Sequence, residues 1–252
     1  MKTTGNTIFI TGGTSGIGRG LAEAFHKLGN KVIVAGRRKA LLEDVCASNP
    51  GIEGVELDIN DIDDIRRVAK KLVAEYPKLN VLINNAGIMP FDDVSGSVDD
   101  EVSRRIIETN LLGPIRMTSA LIEHLKSQPT ATIINNTSVL AFVPLASNAV
   151  YSATKAALHS YSMSQRFMLR DTNVKVQEIA PPWVDTDLVK KSGDPRAMPL
   201  HIFIEKTMKG LETEDPEVYV DEIAPLRDNP GSREHAFVHG FNQSLAENPI
   251  PV

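Results

Sequence analysis

The sequence predicts an α/β protein built on a doubly wound parallel sheet of about seven strands, with helices on both faces. Two patterns predict this fold. Short β-branched runs alternate with longer stretches in which apolar residues recur with helical period. A glycine-rich turn joins the first strand to the first helix, as in folds that bind nucleotides at the carboxyl ends of parallel strands. A chain of 252 residues is long enough for one such unit, so we expect residues 1–252 to form a single domain.

Composition argues against several classes of protein. Apolar residues make up 42% and charged residues 23% of the chain, and the net charge is −5, which is typical of a globular protein. This mild acidity disfavours nucleic acid as a partner, because phosphate binding needs clustered Lys and Arg. No stretch approaches about 18 apolar residues, so we expect no membrane partner and a cytoplasmic location. The single Cys46 is expected to be a half-buried helix residue rather than a nucleophile.

The first strand, residues 7–11, runs directly into a glycine-rich turn and then a helical pattern. Glycines let the backbone pass close to a pyrophosphate, and the N-terminus of the next helix offers N–H donors. In this setting the turn predicts a dinucleotide site, with an ordinary tight turn as the alternative. The residues expected to line the site here are Gly12, Thr14, Ser15, Gly16, Ile17 and Gly18.

The second strand, residues 31–35, ends in Gly36, Arg37 and Arg38. In nucleotide-binding folds an acidic side chain at this point binds the ribose 2′-hydroxyl, whereas arginine accommodates a 2′-phosphate. Because two guanidinium groups stand here and no acid does, we expect NADP(H) to be preferred and NAD(H) to be the less favoured cofactor. The alternative is that both arginines lie on the solvated N-terminal face of a helix.

The third and fourth strands are expected at residues 55–58 and 81–83, with a stretch of helical period between them. The third strand brings Asp58, followed by Ile59, to its carboxyl end, where an adenine would lie. Small and amide side chains after the fourth strand suit a backbone that lies against a cofactor, although a plain turn is the alternative. These residues are Asn84, Asn85, Ala86 and Gly87.

A long helical stretch, residues 99–125, contains Asn110 and is interrupted by Pro114. Because proline removes a backbone donor, we expect the helix to kink or open there. A freed carbonyl near Asn110 would order a water molecule beside an active site. The fifth strand, residues 132–136, then delivers Ser138 to the same edge of the sheet.

Tyr151 and Lys155 begin a helix that is expected to extend to about residue 170. Because they are four residues apart, their side chains share one face of the helix. A cation about 4–6 Å from a phenol lowers the phenol's pKa from about 10, so the pair suits proton transfer. Together with Ser138, it would hold a substrate oxygen between two hydroxyl groups. For the pair taken alone, an exposed Tyr and Lys on a surface helix is the alternative.

The last third of the chain is less regular. A sixth strand, residues 174–179, leads to two prolines that predict a rigid turn. The pattern then loosens over residues 187–212, where we expect a lid that closes the substrate site against water. A seventh strand, residues 217–223, and a closing helix, residues 232–245, follow, with an irregular tail after residue 247.

His235 and His239 are four residues apart on the closing helix, a spacing that can chelate a metal ion. No third ligand accompanies them in the sequence. We therefore expect an ordinary helix face and no metal site.

Four motifs, in order, resemble the family of short-chain dehydrogenases/reductases. They are Thr11-Gly12-x-x-x-Gly16-x-Gly18, Asn84-Asn85-Ala86-Gly87, Ser138, and Tyr151-x-x-x-Lys155. The resemblance covers about the first 190 residues and implies a Rossmann-type fold with bound NAD(P). It implies that Tyr151 is the acid–base residue and that Ser138 orients the substrate oxygen. It also implies that Lys155 holds the nicotinamide ribose and lowers the pKa of the Tyr151 phenol. Asn110 is implied to place a proton-relay water.

The same resemblance implies cofactor contacts and an assembly. The complete set expected to contact NADP is Gly12, Thr14, Ser15, Gly16, Ile17, Gly18, Arg37, Arg38, Asp58, Ile59, Asn85, Ala86, Gly87, Tyr151, Lys155, Pro181, Val184 and Thr186. Pairing of the Tyr151 helix and of residues 99–125 with their copies implies a homodimer or homotetramer.

Two positions depart from the family pattern. Pro182 stands where the family usually has glycine, a variant that resembles the subgroup named after a protein of the D-alanine–lipoteichoic acid operon, and its added bulk alters the nicotinamide pocket. Ser15 stands where many NADPH-dependent members have a basic residue. The expectation of a 2′-phosphate site therefore depends on Arg37 and Arg38.

Together these residues predict hydride transfer between NADP(H) and a carbonyl or secondary alcohol. Two alternatives stay open: a sensor or scaffold that binds NADP(H) without turnover, and a reductase of C=C bonds. Trp183 is expected either to stack on cofactor or substrate or to lie in the core. An apolar substrate pocket is expected from Met89, Phe91, Leu140, Phe142, Trp183 and Leu188.

Overall fold

The computed structural model describes residues 1–189, 191 and 193–249. The strands of its sheet are β1 (Thr7–Thr11), β2 (Lys31–Gly36), β3 (Glu53–Glu56), β4 (Leu79–Asn84), β5 (Ala131–Asn136), β6 (Val174–Ile179) and β7 (Glu217–Val218). The helices are α1 (Gly16–Lys27), α2 (Lys39–Ser48), α3 (Ile62–Glu75), α4 (Asp100–Ile107), α5 (Gly113–Ser127), α6 (Ala149–Met168), α7 (Leu200–Leu211), α8 (Ala224–Arg227) and α9 (Glu234–Glu247). No helix within these described ranges is long and apolar enough to cross a lipid bilayer.

The sheet has the strand order β3-β2-β1-β4-β5-β6-β7, and every pair is parallel. From β1 the chain adds β2 and then β3 on one side. It then crosses to the other side of β1, where it adds β4 to β7 in order. The order therefore reverses between β1 and β4, and ligands of open α/β sheets bind outside the carboxyl ends of strands at such a point. The predicted doubly wound parallel sheet of about seven strands is confirmed.

Helices cover both faces of the sheet because successive side chains of each strand point to opposite faces. On β1, Ile8 and Ile10 pack into an apolar cluster with α1 and α7, whereas Phe9 packs on the other face with α3 and α5. All three side chains are fully buried. The two clusters hold the strands so that the loops at their carboxyl ends meet along one edge.

β2, β4 and β5 are one to three residues longer than predicted, whereas β3 is displaced and β7 is shorter. β3 ends at Glu56, so Asp58 lies beyond the strand rather than at its last position. The strand was misplaced because it is an edge strand of sequence Glu-Gly-Val-Glu in which Val55 alone is buried. The seventh strand was predicted over residues 217–223 but is limited to two residues, because β7 pairs with β6 only at Glu178 and Ile179.

Residues 200–211, which were predicted to be irregular, form helix α7. Phe203 and Leu211 are fully buried, so this half of the predicted lid belongs to the core. The helix packs closely on α1, where a Cβ added to Gly20 would lie 2.7 Å from Ile204 Cγ1. In the earlier half of the predicted lid, positions 190 and 192 lie outside the described residues. Pro251, in the predicted tail, also lies outside them. A lid over residues 187–199 stays a prediction.

The helix predicted over residues 99–125 opens at the expected place. A π-helical turn, Glu108–Leu112, joins α4 to α5 and contains Asn110. Pro114 stands in the first turn of α5, directly after this turn, where it has no N–H to donate to the preceding carbonyls. The closing helix α9 begins and ends two residues later than predicted.

Candidate active site

The carboxyl ends of the strands surround a cleft of about 600 Å³. Nearly all of the predicted site residues line it: Gly12, Thr14, Ser15, Gly16, Ile17, Gly18, Arg37, Arg38, Ile59, Asn85, Ala86, Gly87, Ser138, Tyr151, Lys155, Pro181, Val184 and Thr186. Of the predicted set, Asn110 and Asp58 are missing from this lining. The structure thus joins the glycine turn and the Tyr151 helix in one concave site.

Tyr151, Ser138 and Lys155 meet at one end of the cleft, and all three are buried. The Ser138 side chain lies beside the phenol of Tyr151, close enough to act on its pKa. The ammonium nitrogen of Lys155 lies 5.5 Å from the centroid of the Tyr151 ring, as expected for neighbours on one helical face. The arrangement can present a hydroxyl pair to one oxygen atom of a ligand.

Burial governs the acidity of these groups. It raises the pKa of Tyr151 from 10.0 to about 12, although the Ser138 side chain acts in the opposite direction. Burial likewise lowers the pKa of Lys155 from 10.5 to about 8. Desolvation of the phenolate is the largest effect on the pKa of Tyr151, and the expectation that Lys155, together with the charge of an oxidised nicotinamide, lowers it stays a prediction.

A chain of amides links Lys155 to the glycine turn. Lys155 Nζ donates to the backbone oxygen of Asn136 over 2.7 Å, and Asn136 Nδ2 donates to Asn85 Oδ1 over 2.8 Å. Asn85 Nδ2 in turn donates to the carbonyl oxygens of Thr11 and Gly12. The buried Oδ1 atom of Asn136 has no partner within the described part of the chain. Sequence reasoning missed Asn136, although its place at the end of the fifth strand was a signal.

Asn110 is fully buried and faces the segment after Gly87 instead of the cleft. Its Oδ1 accepts from the Ile88 N–H and its Nδ2 donates to the Ile88 carbonyl, each over 2.9 Å. A longer bond of 3.4 Å reaches Thr154 Oγ1 on α6. Asn110 therefore fixes the loop after β4 against the helix that contains Tyr151.

The glycine turn lies tightly against the end of β4. Gly12 has φ +65°, a conformation that favours glycine, and an added Cβ would lie 2.8 Å from Ala86 Cα. No side chain caps the first turn of α1, whereas Asp61 caps α3 by accepting from two backbone N–H groups. The first N–H groups of α1 are thus suited to an anion at this end of the cleft.

The two predicted arginines lie at the end of the cleft away from Tyr151, because they follow β2 on the far side of β1. Arg37 and Arg38 are exposed side chains that line the cleft just after β2. Asp58 lies in an adjoining polar pocket, which Arg37 also lines together with Arg67 and Lys71. One carboxylate oxygen of Asp58 accepts from the Asn60 N–H over 3.0 Å. Asp58 is therefore beside the predicted adenosine end but outside the main cleft.

The apolar end of the cleft differs in part from its prediction. Met89, Leu140, Trp183 and Leu188 line it, but Phe91 and Phe142 do not. Phe91 is 49% exposed, and Phe142 is a core residue with its ring edge-on to His159. Leu226, Phe241 and Leu245 line this end and were missed, because α8 and α9 are distant in sequence.

Trp183 is half-buried at the apolar end, and Arg196 lies 5.2 Å from its ring centroid. The turn before it is tied down by Val139 N–H, which donates to the Pro181 carbonyl over 2.9 Å. Trp183 therefore belongs to the wall of the cleft rather than to the core.

The remaining singled-out residues lie away from the cleft. Cys46 is half-buried as predicted, and burial raises the pKa of its thiol. His235 and His239 are exposed. The described residues contain no group of three His, Cys, Asp or Glu side chains that could hold a metal ion.

Comparison with known proteins agrees with the geometry. Residues 6–197 match the family model described as short chain dehydrogenase. The chain is 41% identical over 234 residues to the uncharacterized oxidoreductase DltE of Bacillus subtilis (strain 168), which covers 90% of this chain and 93% of the relative.

Two solved structures are similar over most of their length. A short chain dehydrogenase from Burkholderia cenocepacia J2315 in complex with NADP is 30% identical with a TM-score of 0.78, covering 98% of this chain and 95% of the other. The 3-ketoacyl-(acyl-carrier-protein) reductase from Brucella melitensis complexed with NADH is 26% identical with a TM-score of 0.77, covering 87% and 98%. The protein is therefore a member of the short-chain dehydrogenase/reductase family.

Proposed function

We propose that this protein is an NADP(H)-dependent oxidoreductase that transfers a hydride between the nicotinamide and a carbonyl or secondary alcohol carbon. The observation that carries the proposal is the meeting of Tyr151, Ser138 and Lys155 at one end of a cleft that is also lined by the glycine turn. Membership of an oxidoreductase family supports an enzyme over a passive nucleotide sensor.

The cleft fits a dinucleotide. The uncapped first turn of α1 suits a pyrophosphate, and the unpartnered Oδ1 of Asn136 suits a hydroxyl donor such as a ribose. We propose that residues 12–18 and 85–87 hold the phosphates and the adenosine half. Val184, Thr186 and Pro181 would hold the nicotinamide half, with Lys155 at its ribose.

NADP(H) is the proposed cofactor because Arg37 and Arg38 follow β2 where an acid would select NAD(H). Among the similar structures, one is a complex with NADP and another a complex with NADH. The preference therefore depends on this chain's own two guanidinium groups.

The nicotinamide, when bound, supplies or accepts the hydride. In the direction of reduction, Tyr151 donates its hydroxyl proton to the substrate oxygen while Ser138 donates a hydrogen bond to that oxygen. A pKa of about 12 keeps Tyr151 protonated at neutral pH, which suits it as an acid. Positioned acid catalysis of this kind contributes roughly 10²–10⁴-fold in rate.

Alcohol oxidation needs the phenolate of Tyr151, and each unit of pKa corresponds to about 1.4 kcal/mol. We propose that Tyr151 serves both directions, as the acid in reduction and, in its phenolate form, as the base in oxidation. We propose that Lys155 also stabilises negative charge on the phenol when its own ammonium is present. Asn110 would place the relay water through its backbone, because its side chain is occupied by Ile88.

Three further expectations remain proposals. Exposed apolar side chains on α6, Met163, Phe167 and Met168, support packing of this helix against a second copy in a homodimer or homotetramer. Leu188 and Trp183 line the apolar end, which supports a carbonyl substrate with an apolar body and a lid from residues 187–199. The lone half-buried Cys46 is compatible with a reducing cytoplasm.

The first test is a fluorescence titration with NADPH and, separately, with NADH, followed by a panel of carbonyl compounds on the same sample. Tighter NADPH binding together with NADPH oxidation by any carbonyl would support the proposal. Tight binding without turnover of ketones, aldehydes or activated alkenes would instead favour the sensor. Turnover of alkenes alone would indicate a C=C reductase.

A further inference from the structure

The first turn of α6 takes its cap from another part of the chain. Asn148, the residue before the helix, makes no side-chain cap hydrogen bond. Instead, the N–H of Ala149 donates to Asp92 Oδ1 and the N–H of Val150 donates to Asp92 Oδ2, each over 2.8 Å. One carboxylate therefore holds the two residues that directly precede Tyr151.

Asp92 is itself held against this helix end. Its N–H donates to the carbonyl of Ser147 over 3.0 Å, and Asn148 Nδ2 donates to the carbonyl of Pro90 over 2.9 Å. Four hydrogen bonds thus join residues 90–92 to the start of α6. The side chain of Asp92 is half-buried, so solvent competes only partly for its oxygens.

The same segment is tied to the cofactor end of the cleft. It continues directly from Gly87, and Ile88 is held through both backbone groups by Asn110. Asp92 therefore connects the loop after β4, which lines the cleft, with the helix that presents Tyr151. A shift of this connection would move the phenol relative to Ser138.

We propose that Asp92 is a positioning residue for the reaction: its carboxylate fixes the first turn of α6 and thereby holds the Tyr151 hydroxyl in register with Ser138. The inference rests on the proposed function, because it concerns the residue proposed as the acid. Helix N-caps commonly contribute stability alone. The distinguishing property here is that the cap is not local and comes from the loop that lines the cleft.

The experiment compares Asp92→Ala, Asp92→Asn and Asp61→Ala with the unaltered protein, at saturating NADPH and on a carbonyl that the protein reduces. Asp61 is the matched control, since one of its oxygens accepts from the N–H groups of Asp63 and Asp64 on α3. Steady-state kcat and KM and thermal unfolding are measured for each protein.

We expect Asp92→Ala to lower kcat roughly 10–100-fold with KM changed less than about threefold, because misplacement of a reacting group costs rate more than ground-state binding. Asp92→Asn should recover part of this loss, since the amide keeps one acceptor. Asp61→Ala should lower the unfolding temperature and leave kcat within about twofold of the unaltered protein.

An Asp92→Ala protein that is destabilised like Asp61→Ala but keeps its kcat would overturn the inference. If Asp92→Ala does not fold, Asp92→Asn decides, and a kcat equal to that of the unaltered protein overturns it. If the unaltered protein reduces no carbonyl, the proposed function fails and this inference fails with it. If turnover is unchanged when Asp92 is replaced, this inference is overturned and the proposed function stands.

Discussion

Lys155 donates its hydrogen bond to the backbone oxygen of Asn136, 2.7 Å away, and not to the phenol of Tyr151 one helical turn earlier. The cation is thereby fixed by the end of β5 and, through the side chain of Asn136, by Asn85. It lies 5.5 Å from the centroid of the Tyr151 ring. The end of β5 therefore helps to fix the position of the lysine.

Replacing Tyr151 by Phe tests the proposed acid. We expect kcat to fall by roughly 10²–10⁴, because the proton donor is removed, while the dissociation constant for NADPH changes less than about twofold. Tyr161→Phe on the same helix is the control and should keep normal turnover. Steady-state kinetics and nucleotide titration measure both effects, and near-normal turnover in Tyr151→Phe would remove Tyr151 from the mechanism.

The buried lysine should make stability depend on pH. The pKa of Lys155 is lowered to about 8 in the folded protein from 10.5. Between these values the unfolded chain binds more protons than the folded one, so the free energy of unfolding rises with pH. From about pH 7.5 to about pH 9.5 we expect a rise on the order of 2 kcal/mol from this group.

Lys155→Met, which keeps the length of the side chain without its charge, should lack that rise. Denaturant unfolding of both proteins at the two pH values measures the difference between them. An equal change in the two proteins would show that Lys155 is not responsible.

Arg37 is the residue expected to distinguish the two nicotinamide cofactors. Arg37→Ala should weaken NADPH binding roughly tenfold or more, because a charge-assisted bond to the 2′-phosphate is lost, and should leave NADH binding within about threefold. Arg170→Ala, at the far end of α6, serves as the control for loss of a positive charge. Equal weakening of both nucleotides by Arg37→Ala would argue against 2′-phosphate recognition.

Gly18→Ala should disrupt the glycine turn. An added Cβ would lie 2.3 Å from both Asn85 Nδ2 and the Gly12 carbonyl oxygen, so these backbone and amide groups must move. We expect a loss of about 1–3 kcal/mol in stability and markedly weaker nucleotide binding. Gly240→Ala on α9 meets nothing within 4 Å and should be neutral or slightly stabilising. Unchanged nucleotide affinity in Gly18→Ala would contradict the proposed phosphate site.

Local signals in the sequence were sufficient for the fold class and for most of the cleft. The glycine turn follows β1 directly, and parallel strands bring all their carboxyl ends to one edge, so Gly12, Ser138 and Tyr151 had to converge. The bounds of β3 and β7 were wrong because edge strands have few buried side chains. Helix α7 was missed because its flanking prolines and glycine resemble a loop.

The residues that were missed have partners far away in the sequence. Asp92 precedes the backbone it caps by 57 residues, and Asn136 follows its partner Asn85 by 51. Contacts between residues so far apart produce no periodic pattern in the sequence. The upward effect of burial on the pKa of Tyr151 was also not foreseen, because the spacing to Lys155 was visible in the sequence but the depth of burial was not.

The nucleotide that we propose for the uncapped first turn of α1 would be part of the protein's folding equilibrium. A phosphate that completes this helix end binds only the folded chain, and at a free concentration one hundred times its dissociation constant it adds about 2.7 kcal/mol to stability. Proteases act on opened molecules in proportion to their population. The lifetime of the protein in a cell should therefore follow the size of the nicotinamide nucleotide pool.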